Sequence, residues 1–230
     1  MIIHTLWVGE ELPRLAYLSL ESFVKHGFQV NLFCYNNLKA PKGVKIKKAD
    51  SILKKDKIFT YKAGYYNLGS PCAFSNMFRY KVVYELGGYW SDLDIIALES
   101  FSFAEDLVFV EQGHKPDWPP HYSDTIIASC FFGARHAGEA IFKECYNIIA
   151  KKDKNGLRHG DIGPDLLTTM VKTYKYHSYH KNLINPINWW EEEKLFDWDI
   201  PHSTVAVHCW NSRLEHNKID IDKLYDIIIH

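Results

Sequence analysis

The sequence predicts an α/β domain with a central mixed sheet flanked by helices. Three observations carry this reading. Short apolar or alternating stretches of strand length recur along the chain, helical periodicities separate them, and glycine or proline marks most junctions. At 230 residues and 26.8 kDa the length fits one domain. Such a chain buries roughly 70–75% of its unfolded surface, enough for a substantial core. With 27 basic against 28 acidic residues, it lacks the overall basic excess of nucleic-acid binders. The aromatic share of 15% is high. It serves a core or a sugar- and base-stacking surface equally well, so composition alone does not choose.

Taken in order, Ile2 to Val8 reads as a strand closed by Gly9. Pro13 opens a helix to about His26, with Leu15, Leu18, Phe23 and Val24 on its apolar face and Gly27 at its end. Phe28 to Phe33 alternates with period two and forms the second strand. Residues 39–57 carry eight lysines, and Val44 to Lys47 alternates like an edge strand, where lysine discourages sheet-to-sheet pairing. The same lysines suit an anionic membrane face or a phosphate-bearing acceptor. Tyr61, Tyr65 and Tyr66 lead towards Ser70, a candidate flap. Ser70 and Pro71 then start a helix with Phe74, Met77, Phe78, Val82 and Leu86 on its apolar side. Gly87-Gly88 ends it, and Tyr89 to Ile95 reads as a strand continuing to Leu98.

Further strands are expected at Leu107–Val110, Thr125–Phe132 and Thr204–His208, and helices at Gly138–Ala150, from Pro164 onward, and at Ile219–Ile229. Residues 113–123, rich in proline and aromatics, read as a rigid loop. Asn188-Trp189-Trp190 reads as packing, and the glutamates after it as a solvated run. The five cysteines form no C-x-x-C pair, and reduced thiols in a cytosolic setting are the simplest expectation. The opening residues lack the basic region of a signal peptide, and no run is long enough to span a bilayer.

In a strand, Asp92 and Asp94 would share a face, their Cα atoms roughly 6.5 Å apart. Two such carboxylates can hold Mn²⁺ or Mg²⁺ while leaving positions for phosphate and water. An isolated D-x-D is also common at solvated strand ends. Here it follows Ser75, Arg79-Tyr80, Leu86-Gly87-Gly88-Tyr89 at fixed spacing. This pattern resembles the signature of glycosyltransferases with a D-x-D sugar-binding region, with Asn76 where the family usually has Asp. Ile3-His4-x-x-Trp7-x-Gly9, Gly163-Pro164-x-x-Leu167-Thr168 and His208-x-Trp210 resemble other elements of that family. Ile162 stands where the third pattern has Thr, and Ser212 stands one position early.

The resemblance implies a single-domain A-type glycosyltransferase fold with a Rossmann-like nucleotide-sugar half over 1–98 and an acceptor-side half over 99–230. It implies transfer from a UDP- or GDP-sugar to a glycan or lipid-linked saccharide, with retention of anomeric configuration. With no unambiguous nucleophile in the sequence, a front-side displacement assisted by the leaving phosphate is the expected route. Asp92, Asp94 and His208 would hold the metal. Trp7, Gly9, Tyr35, Arg79 and Gly163 would line the donor, and Asp161 with Arg79 would act on the transferred sugar. Trp7, Tyr35, Asp161 and His208 each also have an ordinary structural reading, as core indole, turn residue, helix cap and strand-end imidazole. A family member without an anchor is expected in the cytoplasm or peripherally at the cytosolic membrane face.

Two alternatives differ in class. A haloacid-dehalogenase-like phosphoryl transferase needs its D-x-D directly after the first strand, which is not the case here. A non-catalytic carbohydrate-binding or interaction protein on the same scaffold would bind donor without releasing nucleoside diphosphate.

Overall fold

A computed structural model describes residues 1–64, 67–115, 125–191, 194–195 and 200–211. Six strands form one mixed sheet in the order β3-β2-β1-β4-β7-β6. They are β1 (Ile2–Trp7), β2 (Gln29–Cys34), β3 (Lys45–Lys48), β4 (Gly88–Ser91), β6 (Leu107–Gln112) and β7 (Ile126–Ala134). β1, β2, β3 and β4 run parallel, while β7 is antiparallel to both β4 and β6. β5 (Ile95–Ala97) and β8 (Ala206–His208) form a separate antiparallel pair. The parallel strands require crossover connections, and α1 (Arg14–Lys25) and α2 (Cys72–Leu86) lie in two of them.

Helices cover both faces. α2, α3 (Ala140–Lys151) and α4 (Pro164–Tyr174) share one apolar cluster with Leu6, Phe33, Trp90 and Phe132. On the other face Leu20 and Phe23 of α1 pack with Ile3, Val30, Ile95 and Phe131. Burial on both sides explains why β7, buried at every residue, reads as a near-continuous apolar run.

α2 is the most enclosed helix. Phe74, Phe78, Tyr80, Val82 and Val83 are all fully buried, and Tyr80 stacks on Phe132 with ring centroids 5.4 Å apart. Ser70 Oγ accepts the Cys72 N–H at 3.2 Å at its start, with Pro71 just ahead. Gly87, with φ +65°, ends it; a Cβ there would lie 2.9 Å from the His136 carbonyl carbon, so both the dihedral and the space demand glycine. Leu86, expected on the apolar face, is the last residue of the helix and is 51% exposed.

The largest departure from expectation concerns Tyr89 to Leu98. This stretch is not one strand. β4 ends at Ser91, Asp92 donates its N–H to the Cys130 carbonyl at 2.8 Å, and the chain then turns through Leu93 and Asp94. It leaves the central sheet and resumes as β5 against β8. α1 anchors this shift: Ser19 Oγ donates to the Ile95 carbonyl at 2.6 Å, and Ser22 Oγ accepts the Ala97 N–H at 3.0 Å. The Thr204–His208 strand therefore pairs with β5, outside the main sheet.

The remaining described elements fall where expected, with β3 at the sheet edge and α4 beginning at Pro164. Tyr65, Tyr66, residues 116–123, Glu192, Glu193, Ser212 and the helix expected at Ile219–Ile229 lie outside the described residues. Among the described residues all five cysteines are free thiols, and no helix is long and apolar enough to cross a membrane.

Candidate active site

The parallel strands end at one edge of the sheet, and the D-x-D turn hangs from that edge at the end of β4. In open α/β sheets this edge is where ligands bind. Trp7 ends β1 and is in register with Cys34 at the end of β2. Asp92 follows β4 directly.

Asp92 and Asp94 meet different partners. Asp92 Oδ1 lies 3.1 Å from Arg79 Nη2 and accepts the Trp90 indole N–H at 2.7 Å, whereas Oδ2 makes no hydrogen bond or ion pair among the described residues. Asp94 Oδ1 lies 3.3 Å from His208 Nε2, and Oδ2 accepts the Asn211 N–H at 2.8 Å. Burial pushes the Asp92 carboxyl up, and the Asp94 charge adds to this, while Arg79 and Trp90 pull it back only in part. Burial acts the same way on Asp94, but His208 and the Asn211 N–H outweigh it and hold Asp94 below its usual range. His208 would be lowered by burial; the Cys130 thiol and Asp94 carboxylate beside it reverse the sign and hold it well above its ordinary value.

Arg79 is buried, not open to a ligand. Its guanidinium donates to the Ser129 carbonyl and, at 3.1 Å, to Ser129 Oγ; it reaches Ser75 Oγ at 3.3 Å and lies over the Trp90 ring at 5.1 Å. With the Asp92 contact, the fork is fully engaged, and only 5% of the side chain is exposed. Arg79 thus fixes Asp92 in place. The family resemblance implies a direct role for Arg79 on the sugar; in the fold its guanidinium orients the Asp92 carboxylate.

Asn76, the departure from the family pattern, donates to Tyr61 OH and to the Cys72 carbonyl, both at 3.0 Å. Tyr61 is therefore a buried core residue and not part of an open flap. Gly163 abuts this pocket: a Cβ there would lie 2.8 Å from Asn76 Oδ1 and 3.1 Å from Ser129 Oγ, and its carbonyl accepts the Tyr80 hydroxyl at 3.1 Å. Asp161, just before α4, is partly buried, and its Oδ2 accepts the Arg158 N–H at 2.9 Å, closing a turn.

At the end of β1 the Trp7 indole folds over Gly9, whose Cβ would lie 2.7 Å from Nε1. That Nε1–H is buried with no hydrogen-bond partner. Orphaned buried donors are rare and mark places where another group completes the site. Tyr35 gives its hydroxyl to the Leu53 carbonyl at 2.7 Å, which leaves its ring. Asn36 Nδ2 donates to the Gly9 carbonyl at 3.1 Å.

Among the described residues no three His, Cys, Asp or Glu side chains form a metal-holding group. Of the expected set, Asp94 and His208 are in contact, while the direct contacts of Asp92 are with Arg79 and Trp90. The Asp94–His208 pair still fits Mn²⁺ in its donor chemistry. His208 Nδ1 lies 3.0 Å from Asn185 Oδ1, an oxygen that only accepts, so the proton sits on Nδ1 and Nε2 faces Asp94. That is the usual outer support of a metal-bound imidazole. Mg²⁺ and Mn²⁺ commonly take few protein ligands and complete their shell with phosphate and water.

Sequence reasoning did not find Ser129, Asn185 or the bonding roles of Ser75 and Trp90. Ser129 and Asn185 stand in unremarkable stretches and acquire partners only through β7 and the segment before β8. Trp210 packs on His208 with ring centroids 3.9 Å apart, so the His208-x-Trp210 spacing has a physical basis.

The arrangement is thus two acidic side chains on a turn at the edge of a mixed α/β sheet where ligands bind in open folds of this class. Residues 13–123, just under half of the chain, match the family model described as glycosyltransferase sugar-binding region containing DXD motif. A solved structure similar to this fold is "PaToxG Glycosyltransferase", at 13% sequence identity and a TM-score of 0.51, covering 75% of this chain and 69% of that one. No curated protein matches in sequence. The family match includes Arg79, Asp92 and Asp94; Trp7, Gly9, Asp161, Gly163 and His208 lie outside it.

Proposed function

We propose that this protein moves a sugar from a UDP- or GDP-sugar to a glycan or lipid-linked saccharide, with a divalent cation and with retention of anomeric configuration. The observation that carries the reading is the D-x-D turn itself. Within the family-matched segment it holds one carboxylate locked by Arg79 and another paired with an imidazole, at the edge where the parallel strands end. Residues 1–98 would supply most of the donor side and residues 99–230 the acceptor side.

Asp94 and His208 would hold Mn²⁺ or Mg²⁺, with the open Oδ2 of Asp92 facing the same ligand set. The bound cation supplies charge neutralisation for the departing diphosphate. Arg79 keeps Asp92 aligned. The unpartnered Trp7 Nε1–H and the Tyr35 ring would meet the nucleotide above Gly9. At the start of α4, Gly163 lets the helix N-terminus approach the Arg79 pocket, and Asp161 would accept hydrogen bonds from sugar hydroxyls through the oxygen not used by Arg158. A front-side displacement is the route this site favours, because no side chain in it stands as an unambiguous nucleophile.

A thermal-shift screen of nucleotide-sugars with and without Mn²⁺ tests this. Stabilisation by one UDP- or GDP-sugar only when metal is present is the expected result. Stabilisation by a free saccharide, with none from any nucleotide-sugar, would instead favour a carbohydrate-binding role, for which Asn76 in place of Asp is the specific argument.

A further inference from the structure

The strongest charge asymmetry in the molecule lies away from the D-x-D turn. Residues 39–57 contain eight lysines and two aspartates, a net charge of +6 (8 − 2), while the whole chain carries −1. All eight lysines are exposed, and β3, at the sheet edge, is exposed at every residue. Among the described residues no ion pair joins any of the eight to a carboxylate; Lys55 Nζ makes one polar contact, at 3.3 Å from Asn36 Oδ1. Unpaired lysines on an edge strand suffice to block sheet extension, but that needs only the strand. Here the charge continues past β3 through Lys54, Lys55 and Lys57 and begins before it at Lys39 and Lys42.

The composition of this ridge narrows its partner. It contains no arginine and no aromatic residue, so it lacks the forks and stacking faces used to read nucleic acid. A single nucleoside diphosphate would engage only a few of the eight ammonium groups. An extended anionic surface can engage several of them at once as point charges. Ile46, 47% exposed between Lys45 and Lys47, adds an apolar side chain suited to an interface.

Position gives the ridge a purpose. Lys48 is in register with Cys34, and Cys34 with Trp7. Two strand spacings, roughly 10 Å, therefore separate the end of the ridge from the rim of the candidate donor site. The Lys55–Asn36–Gly9 contacts continue that link.

We propose that the lysine ridge of residues 39–57 seats this domain on an anionic lipid bilayer, with the ligand edge of the sheet beside the membrane surface. Docking itself does not rest on the sugar-transfer reading. If that reading holds, docking presents the site to acceptors carried in the bilayer.

Sedimentation of the full chain with vesicles tests this. Vesicles of phosphatidylcholine alone are compared with vesicles containing about 30 mol% phosphatidylserine, near 0.1 M salt and near 0.5 M salt. Binding is expected only to the anionic vesicles and is expected to fall steeply in high salt. Each lysine lost near such a surface weakens partitioning about fivefold, so Lys45→Glu/Lys47→Glu/Lys48→Glu should bind at least about a hundredfold more weakly. A second variant outside the strand, Lys39→Ser/Lys42→Ser/Lys54→Ser, should show a similar loss if the first disturbs the edge. Lys151→Glu/Lys152→Glu, at the end of α3, should bind as the unmodified protein does. Equal binding to both vesicle types, full binding by both ridge variants, or retention on single-stranded RNA with none on vesicles would each overturn the proposal. Nucleoside diphosphate release from a nucleotide-sugar in vesicle-free buffer should be the same for unmodified and ridge-variant protein. Its absence from both would count against sugar transfer and leave docking intact.

Discussion

Asp92 and Asp94 are two residues apart in one motif, yet they occupy opposite electrostatic settings. Asp92 is held by a buried guanidinium and an indole N–H, and its carboxyl still lies above the usual range because burial dominates. Asp94 faces an imidazole and a backbone N–H, and its carboxyl lies below that range. The difference comes from the turn that follows β4. It leaves Asp92 against the α2–β7 seam and swings Asp94 to β8. One arm is a rigid structural clamp and the other a pair able to exchange a proton for a cation.

The sharpest way to break this comparison is to remove the clamp. Arg79→Ala leaves Asp92, Ser129 and the Trp90 ring around a cavity, and should cost about 3–5 kcal/mol of stability near neutral pH, measured by urea unfolding. The loss should shrink as pH falls into the carboxylate range, since a protonated Asp92 needs no cationic partner. A loss independent of pH would mean that Arg79 acts through packing alone.

The acid response needs a reference, and His4 supplies it. Burial lowers His4 to about 4, against an ordinary value of 6.5, and its Nδ1 sits 3.3 Å from the Asn31 amide nitrogen. The unfolded chain takes up this proton first. The stability contributed by a neutral His4 is therefore complete above about pH 6.5 and is lost as pH falls towards 4, by about 2–3 kcal/mol. His4→Gln should flatten this part of the stability–pH curve. An unchanged slope would place the acid sensitivity elsewhere. The second arm has the reverse sign. His208, raised in the fold, contributes stability that is present below its unfolded value and lost as pH rises through its folded one. Asp94, lowered, contributes above its unfolded value and loses that as pH falls through its folded one.

Smaller effects sharpen the same contrast. His208→Gln should cost about 2 kcal/mol of stability and weaken Mn²⁺ binding measured by calorimetry. Unmodified protein should bind Mn²⁺ more tightly as pH rises, because His208 must lose its Nε2 proton to solvent before that nitrogen can ligate the cation. Gly163→Ala pushes a methyl group towards Asn76 and Ser129 and should cost about 1 kcal/mol, with the Asn76 amide and Ser129 hydroxyl shifting to make room. A neutral Gly163→Ala would show that α4 does not press on the Arg79 pocket.

Much of this fold was legible in the chain. The alternation of Phe28–Phe33, the Gly87-Gly88 stop and Pro164 at a helix start each follow from local chemistry, and the spacing from Arg79 to Asp94 pointed to the family. The break after Ser91 was not legible. Residues 89–98 are apolar enough to read as one strand, and only the pairing of β5 with β8 and the hydroxyls of Ser19 and Ser22 show why the chain leaves the sheet. The burial of Arg79 was hidden for the same reason. Ser75 opens the pattern but nothing in the chain names its contact with Arg79, and Ser129 is a small polar residue without a pattern that matters because β7 crosses behind α2. Asn185 likewise gains meaning only beside His208.

The most direct measurement is release of nucleoside diphosphate from the nucleotide-sugar that stabilises the protein, with Mn²⁺, for unmodified protein and Asp94→Asn. The D-x-D turn as the catalytic metal site predicts turnover that a chelator abolishes, reduced at least a hundredfold in Asp94→Asn while its thermal unfolding stays cooperative. Equal, chelator-insensitive turnover in both proteins would contradict it.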